Sequence, residues 1–113
     1  MFRIKKKGQA SRGKAVFIQH GLFSAADCWI VDKEKSLGFV IANDGYDVWF
    51  GNNRGNKYSR SHKTLDPEND ADKFFDFSFF ELGKYDAPAQ IDYVRKATGQ
   101  DKLTYIGHSQ GTS

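Results

Sequence analysis

Leu103-Thr104-Tyr105-Ile106-Gly107-His108-Ser109-Gln110-Gly111-Thr112-Ser113 carries the reading that decides the fold of this 113-residue chain. An apolar run leads directly into Gly-x-Ser-x-Gly, the pattern of a strand followed by a sharp turn that presents a serine hydroxyl at its tip. Glycines flank such a serine because a β-carbon at either position would collide with neighbouring backbone. The spacing predicts a strand over 103–106 that delivers Ser109 at its carboxyl end, with Gly107 and Gly111 as the elbow glycines.

Working outward, two earlier strands and two helical segments precede that turn. Ala15-Val16-Phe17-Ile18-Gln19 is a short continuous apolar run between Gly13 and His20-Gly21, as expected of a strand buried on both faces. Ser36 to Ala42 carries Leu37, Val40 and Ile41 at helical spacing, and Asn43-Asp44-Gly45 stops it. Tyr46-Asp47-Val48-Trp49-Phe50 is β-branched and aromatic and reads as the second strand. Ser78-Phe79-Phe80-Glu81 matches a capping box that opens a helical segment. Asp86-Ala87-Pro88 is expected to restart or kink that segment, with Asp86 as N-cap, and Gly99 to end it. The alternation β, α, β, α, β predicts an α/β chain with a parallel sheet and helices on both faces.

Composition narrows the function classes. Hydrophobic residues make up 39% and glycines number 11, an ordinary globular balance at a length that allows one small domain. No apolar stretch approaches the roughly 20 residues of a membrane-spanning helix. The basic N-terminal segment, residues 1–14, contains Arg3, Lys5, Lys6, Lys7, Arg12 and Lys14 and contributes much of the net charge of +3. It lacks the apolar stretch of a secretory signal and the interleaved aromatics of a nucleic-acid surface, so it reads as a solvated face or tail. Cys28 has no partner for an internal disulfide and reads as a small buried hydrophobe; no Cys/His cluster has metal spacing. Gly51-x-x-x-Gly55-x-Lys57 departs from the phosphate-loop spacing, which excludes that reading of the long polar loop after Phe50. Phe74, Phe75, Phe77, Phe79 and Phe80 then form a dense aromatic cluster, expected at the core or its edge, with acyl-chain contact as the alternative.

A serine that attacks an acyl carbonyl needs a base, a group that orients the base, and N–H donors aimed at the developing oxyanion. The backbone N–H of Gln110 is one expected donor. The second is expected from the turn His20-Gly21-Leu22-Phe23 after the first strand, at the N–H of Leu22. None of the three histidines reads as the base. His108 is expected to point away from Ser109, His20 to be a structural imidazole bonded to backbone, and His62 to lie exposed in a loop. In this fold type the acid and the histidine follow the serine in the chain, and no candidate for either follows Ser109 here.

His20-Gly21-Leu22-Phe23, Gly45 through Asn56, Asp76-Phe77-Ser78-Phe79, Lys84-Tyr85-Asp86 and Gly107 through Thr112 occur in one order, and with them the chain resembles the acid lipase family of α/β-hydrolases. The resemblance spans Lys14 to Thr112. It implies a neutral lipid ester substrate, triacylglycerol or cholesteryl ester, met at a lipid–water interface, with no cofactor, a lid-covered acyl pocket, and a lysosomal or secreted address. It also implies that Ser109 is the nucleophile and that Leu22 and Gln110 hold the oxyanion. The family's acid, histidine, lid and later strands have no counterpart here, so residues 15–113 are expected to be the N-terminal part of a partial α/β-hydrolase fold, inactive alone. The other readings are a non-catalytic truncated product, or a thioesterase or peptidase using the same elbow. The strand 103–106 is expected to leave an unpaired apolar edge. The 113 residues by themselves should therefore be marginally stable or aggregate; a cooperative thermal transition of a soluble monomer would overturn this.

Overall fold

The computed structural model describes residues 1–8, 13–22 and 24–112. Arg12, Phe23 and Ser113, which figure in the sequence reading, lie outside the described residues. Four strands make one sheet: β1 (Phe2–Ile4), β2 (Ala15–Gln19), β3 (Asp47–Phe50) and β4 (Thr104–Gly107), in the order β1-β3-β2-β4. β2 pairs in parallel with β3 on one side and β4 on the other, so Phe17 lies between Trp49 and Tyr105. The expected parallel core is present. β1 was not foreseen; it pairs antiparallel with β3 and makes the sheet mixed.

Every residue of β2 and β3 is buried, and the two-residue strand period sorts them onto two faces. Val16, Ile18, Val48 and Phe50 pack on one side with Ala26, Ala42 and the half-buried Ile41. Ala15, Phe17 and Trp49 pack on the other with Val94 and Ile91. The first face is covered by α1 (Leu37–Asn43) and the second by α4 (Ala87–Thr98), which gives the helix–sheet–helix layering expected. The stripe that α1 buries differs from the expected one: Gly38 and Ala42 are buried, whereas Leu37 and Val40 face outward. A Cβ on Gly38 would stand 2.6 Å from the Phe50 ring, so close approach of helix to sheet selects the small residues for the inner face. Cys28 is likewise exposed, contrary to expectation, on a 3₁₀ turn (Ala26–Trp29) that turns Ala26 inward instead.

The long connection between β3 and α4 holds two single-turn helices, α2 (Ala71–Phe74) and α3 (Phe79–Glu81). The capping box forms as read: Ser78 N–H donates to Glu81 Oε2 at 2.6 Å and Phe80 N–H to Ser78 Oγ at 3.2 Å. The Ser78 N–H and the Ser78 hydroxyl, both donating to Glu81 Oε2, hold that carboxyl below its ordinary pKa. A wide π turn (Leu82–Asp86) then runs into α4. It precedes Pro88, which has no N–H to give the carbonyl four residues back. Asp86 is helical there rather than an N-cap, and its carboxylate turns to Arg54 at 2.8 Å instead. Gly99 closes α4 in the left-handed conformation, φ 69°, with its N–H on Arg95 O at 2.9 Å. The next side chain, Gln100, accepts from Ala15 N–H at 2.9 Å and donates to Gly13 O at 3.0 Å, pinning the end of α4 to the start of β2.

Of the aromatic cluster only Phe74 is buried; Phe75, Phe79 and Phe80 are exposed. Phe79 and Phe80 lie on α3, a single turn that buries no residue. The basic N-terminal segment is also only partly a solvated tail. Arg3 in β1 donates to both oxygens of the buried Asp47, at 2.8 and 2.6 Å, and its guanidinium lies 4.6 Å from the centroid of Trp49. A carboxylate at the start of a buried strand needs such a partner, since an unpaired buried charge is strongly destabilising. Arg3→Ala should therefore cost about 3 kcal/mol, and Arg3→Met with Asp47→Leu much less. Urea denaturation checks both, and equal costs for the single and double changes would contradict the assignment.

Candidate active site at the carboxyl ends of the strands

Parallel pairing sends the chain out of β2, β3 and β4 at the same edge of the sheet, the edge where α/β folds place ligands. Three segments meet there: His20-Gly21-Leu22 after β2, Gly51 to Asn56 after β3, and His108-Ser109-Gln110 after β4. Ser109 has φ 54°, in the left-handed region that costs a non-glycine residue about 1–2 kcal/mol. It is exposed at the head of a 3₁₀ turn (Ser109–Thr112).

Close backbone approach holds that turn in place. A Cβ on Gly107 would come within 2.4 Å of Gly111 O, and one on Gly111 within 2.7 Å of both Gln19 O and His20 O. The elbow thus closes on itself and rests on the end of β2. Gly21 completes the contact from the other side, where a Cβ would sit 3.1 Å from both Ser109 Cβ and His108 O. Four hydrogen bonds lock the arrangement: His108 N–H to Gln19 O at 3.3 Å, Gly111 N–H to His108 O at 2.9 Å, Thr112 Oγ1 to Ser109 O at 2.7 Å, and Tyr105 Oη to Gly111 O at 2.6 Å. Burial raises the pKa of the Tyr105 phenol, which keeps it a donor to that carbonyl.

A cleft of about 590 Å³ opens beside the elbow. Leu22 and Gln110 both line it, together with Asn53, Lys57, Phe75 and Phe77. Ser109 is not part of its lining and stands next to it, adjoining Gln110. Among the described residues the Leu22 N–H is given to no protein acceptor. An oxyanion formed by attack of a hydroxyl needs backbone donors near it. At the rim, Lys57 pairs with Asp27, lowering the pKa of that carboxyl and raising that of the lysine. Arg54 is held by Asp86 and lies 5.8 Å from the centroid of Phe77, which steadies the aromatic wall.

The histidines fall in three different environments. His20 is buried, with Nδ1 2.8 Å from Gly21 O and Nε2 accepting from Asn53 N–H at 3.1 Å. Because a carbonyl only accepts, the proton is on Nδ1 and the lone pair on Nε2 is occupied. His62 accepts from Thr64 and Leu65 N–H, both at 3.0 Å, in the exposed loop. His108 packs edge-on to Trp29, its ring centroid 6.0 Å away. None is hydrogen-bonded to Ser109 among the described residues. Those residues also contain no group of three His, Cys, Asp or Glu side chains placed to hold a metal ion, and no helix long and apolar enough to cross a membrane.

A family model described as the alpha/beta hydrolase fold matches residues 14–113. The chain belongs to that family. It is 45% identical over 111 residues to human lysosomal acid lipase/cholesteryl ester hydrolase, covering 96% of this chain and 27% of the relative. It is 47% identical over 110 residues to human gastric triacylglycerol lipase (96% and 27%), and 51% identical over 112 residues to Lipase 1 of Drosophila melanogaster (98% and 24%). The chain spans about a quarter of the length of these curated relatives. This alpha/beta hydrolase therefore stands among lipases, over a stretch that includes the whole elbow.

Several residues at the site received no individual role from the sequence. Tyr105 reads only as a strand aromatic, and Asn52, Asn53 and Asn56 enter as turn formers and as part of the motif from Gly45 to Asn56, with no role of their own. Three asparagines within five residues directly after a buried strand is the pattern that would have singled out the last group. The glycine contacts make a sharp prediction: Gly111→Ala should destabilise the fold by about 2–3 kcal/mol, because backbone rather than a flexible side chain blocks the new methyl. Gly99→Ala is the control, with open space around it and only the strain of positive φ. Comparable losses at both sites in chemical denaturation would rule out steric closure of the elbow.

Proposed function

We propose that this chain is the nucleophile-bearing part of a serine carboxylic ester hydrolase, a lipase acting on neutral lipid esters. The observation that carries the reading is the strained Ser109, φ 54°, exposed on a turn closed by Gly107 and Gly111 and standing next to a cleft that Leu22 and Gln110 line. Ser109 Oγ attacks the ester carbonyl, and the carbonyl oxygen, now negative, is received by the N–H groups of Leu22 and Gln110. Collapse expels the alcohol with a proton and leaves an acyl group on Ser109; water then attacks that ester and releases the acid. The base and its orienting carboxylate come from residues outside these 113, in keeping with the quarter of the relatives' length that the chain spans. Residues 15–113 are on this reading the first part of the catalytic domain, with the segment 1–14 adding β1 to its sheet.

Substrate class rests on the cleft and on the relatives. Leu22, Leu82, Phe75 and Phe77 give the cleft an apolar wall suited to an acyl chain, and the exposed Phe79 and Phe80 suit a lipid–water interface. Triacylglycerol and cholesteryl ester are the two substrates that the relatives' names supply.

The test is hydrolysis by the full-length protein. Ser109→Ala should lower turnover of a long-chain acylglycerol by at least about a thousandfold without altering the thermal transition. Faster turnover of an amide or a thioester than of the matched oxygen ester would favour a peptidase or thioesterase. The 113 residues alone should show no turnover that depends on Ser109.

A further inference from the structure

We propose that His20 is a positioning residue for the oxyanion hole, with Asn56 holding its ring, so that the pair sets the direction of the Leu22 N–H. The inference rests on the ester-hydrolase reading above. Its basis is the peptide between Gly21 and Leu22: the Gly21 carbonyl and the Leu22 N–H lie in one plane and point in opposite directions. Whatever fixes the carbonyl also aims the N–H.

His20 Nδ1–H is 2.8 Å from the Gly21 carbonyl, and the ring is only 3% exposed, so no water competes for that bond. Donation into the carbonyl also polarises the peptide and strengthens its N–H as a donor. The other edge of the ring is held as firmly. Nε2 faces the Asn53 N–H and the Asn56 amide nitrogen, each at 3.1 Å. The same Asn56 nitrogen reaches Asn52 Oδ1 at 2.9 Å, and that oxygen accepts the Ala26 N–H at 3.0 Å. One set of asparagines therefore grips the oxyanion turn at both ends, His20 before Leu22 and Ala26 after it.

A ring kept only to fill space would not need both nitrogens engaged, and here both bond groups that frame the cleft. The arrangement also requires one tautomer. With the proton on Nε2, the ring would oppose the Asn53 N–H and turn a lone pair toward the Gly21 carbonyl.

The experiment uses the full-length protein, with Ser109 titrated by a p-nitrophenyl alkylphosphonate. Failure of the wild type to be labelled at Ser109 would defeat the ester-hydrolase reading, whatever His20 does. Given labelling, His20→Phe should lower kcat per titrated serine about 100-fold, less than the loss of a whole oxyanion donor at its upper range, with KM unchanged. His20→Asn, whose amide nitrogen takes the place of Nδ1, should recover at least about tenfold of that loss. Asn56→Leu should lower kcat about tenfold. A kcat per titrated serine within twofold of wild type, a loss confined to KM or to the titratable fraction, or no recovery in His20→Asn would overturn the proposal. Should the variants not fold, the His20 tautomer in the wild-type protein decides: long-range proton–nitrogen correlation should show the proton on Nδ1 near neutral pH, and an Nε2-protonated or charged ring would overturn it.

Discussion

β2 is hydrogen-bonded along both edges to strands that run in its own direction, and the placement of the site follows from that pairing. With β3 and β4 parallel to β2, three connecting segments leave the sheet together, and the serine turn meets the glycine turn that bears Leu22. An antiparallel β4 would deliver Ser109 to the opposite end, some four residues and more than 10 Å away. Val16 and Ile18 pack on the face that α1 covers and Phe17 on the face that α4 covers, so a one-residue slip of β2 would exchange the side chains buried on the two faces.

Two side-chain hydrogen-bond networks brace the sheet at its opposite ends. Asp47 with Arg3, and Gln100 with Gly13 and Ala15, fasten the amino end of the sheet, far from any chemistry. His20, Asn52, Asn53 and Asn56 form a second network at the carboxyl end, where His20 and Asn52 bond backbone groups of Gly21, Asn53 and Ala26 and Asn56 links their side chains. Loops carry function only when something rigid positions them. Here the rigidity comes from side-chain amides and one imidazole rather than from further secondary structure.

The strands β2, β3 and β4, the helices α1 and α4, the capping box at Ser78 and the left-handed Gly99 were legible because each depends on neighbours within a few residues. β1 was not, because three residues such as Phe2-Arg3-Ile4 carry no periodicity and pair only through Asp47 and β3. The inner face of α1 was misread toward Leu37 and Val40 for a related reason: Gly38 is inside because Phe50 leaves no room, and a distant ring is invisible to helical spacing. The elbow glycines were legible as a pattern, while the atoms they avoid, Gly111 O, Gln19 O and His20 O, belong to the tertiary structure. Asp86 looked like a cap until Arg54, far away in the chain, claimed its carboxylate.

The pairing of β2 with β4 joins Val16 to Thr104 across most of the chain. Closing so long a loop is entropically costly, and sheets built from distant parallel strands form late. During synthesis the centre strand emerges early with one flank unfilled, its Val16, Phe17 and Ile18 dependent on β3 alone until residues 104–107 arrive. The Ser109 turn is attached to that last strand. Its strained geometry can therefore be set only once the sheet beneath it has closed, which makes a competent elbow a late event in folding and an indicator that the sheet is complete.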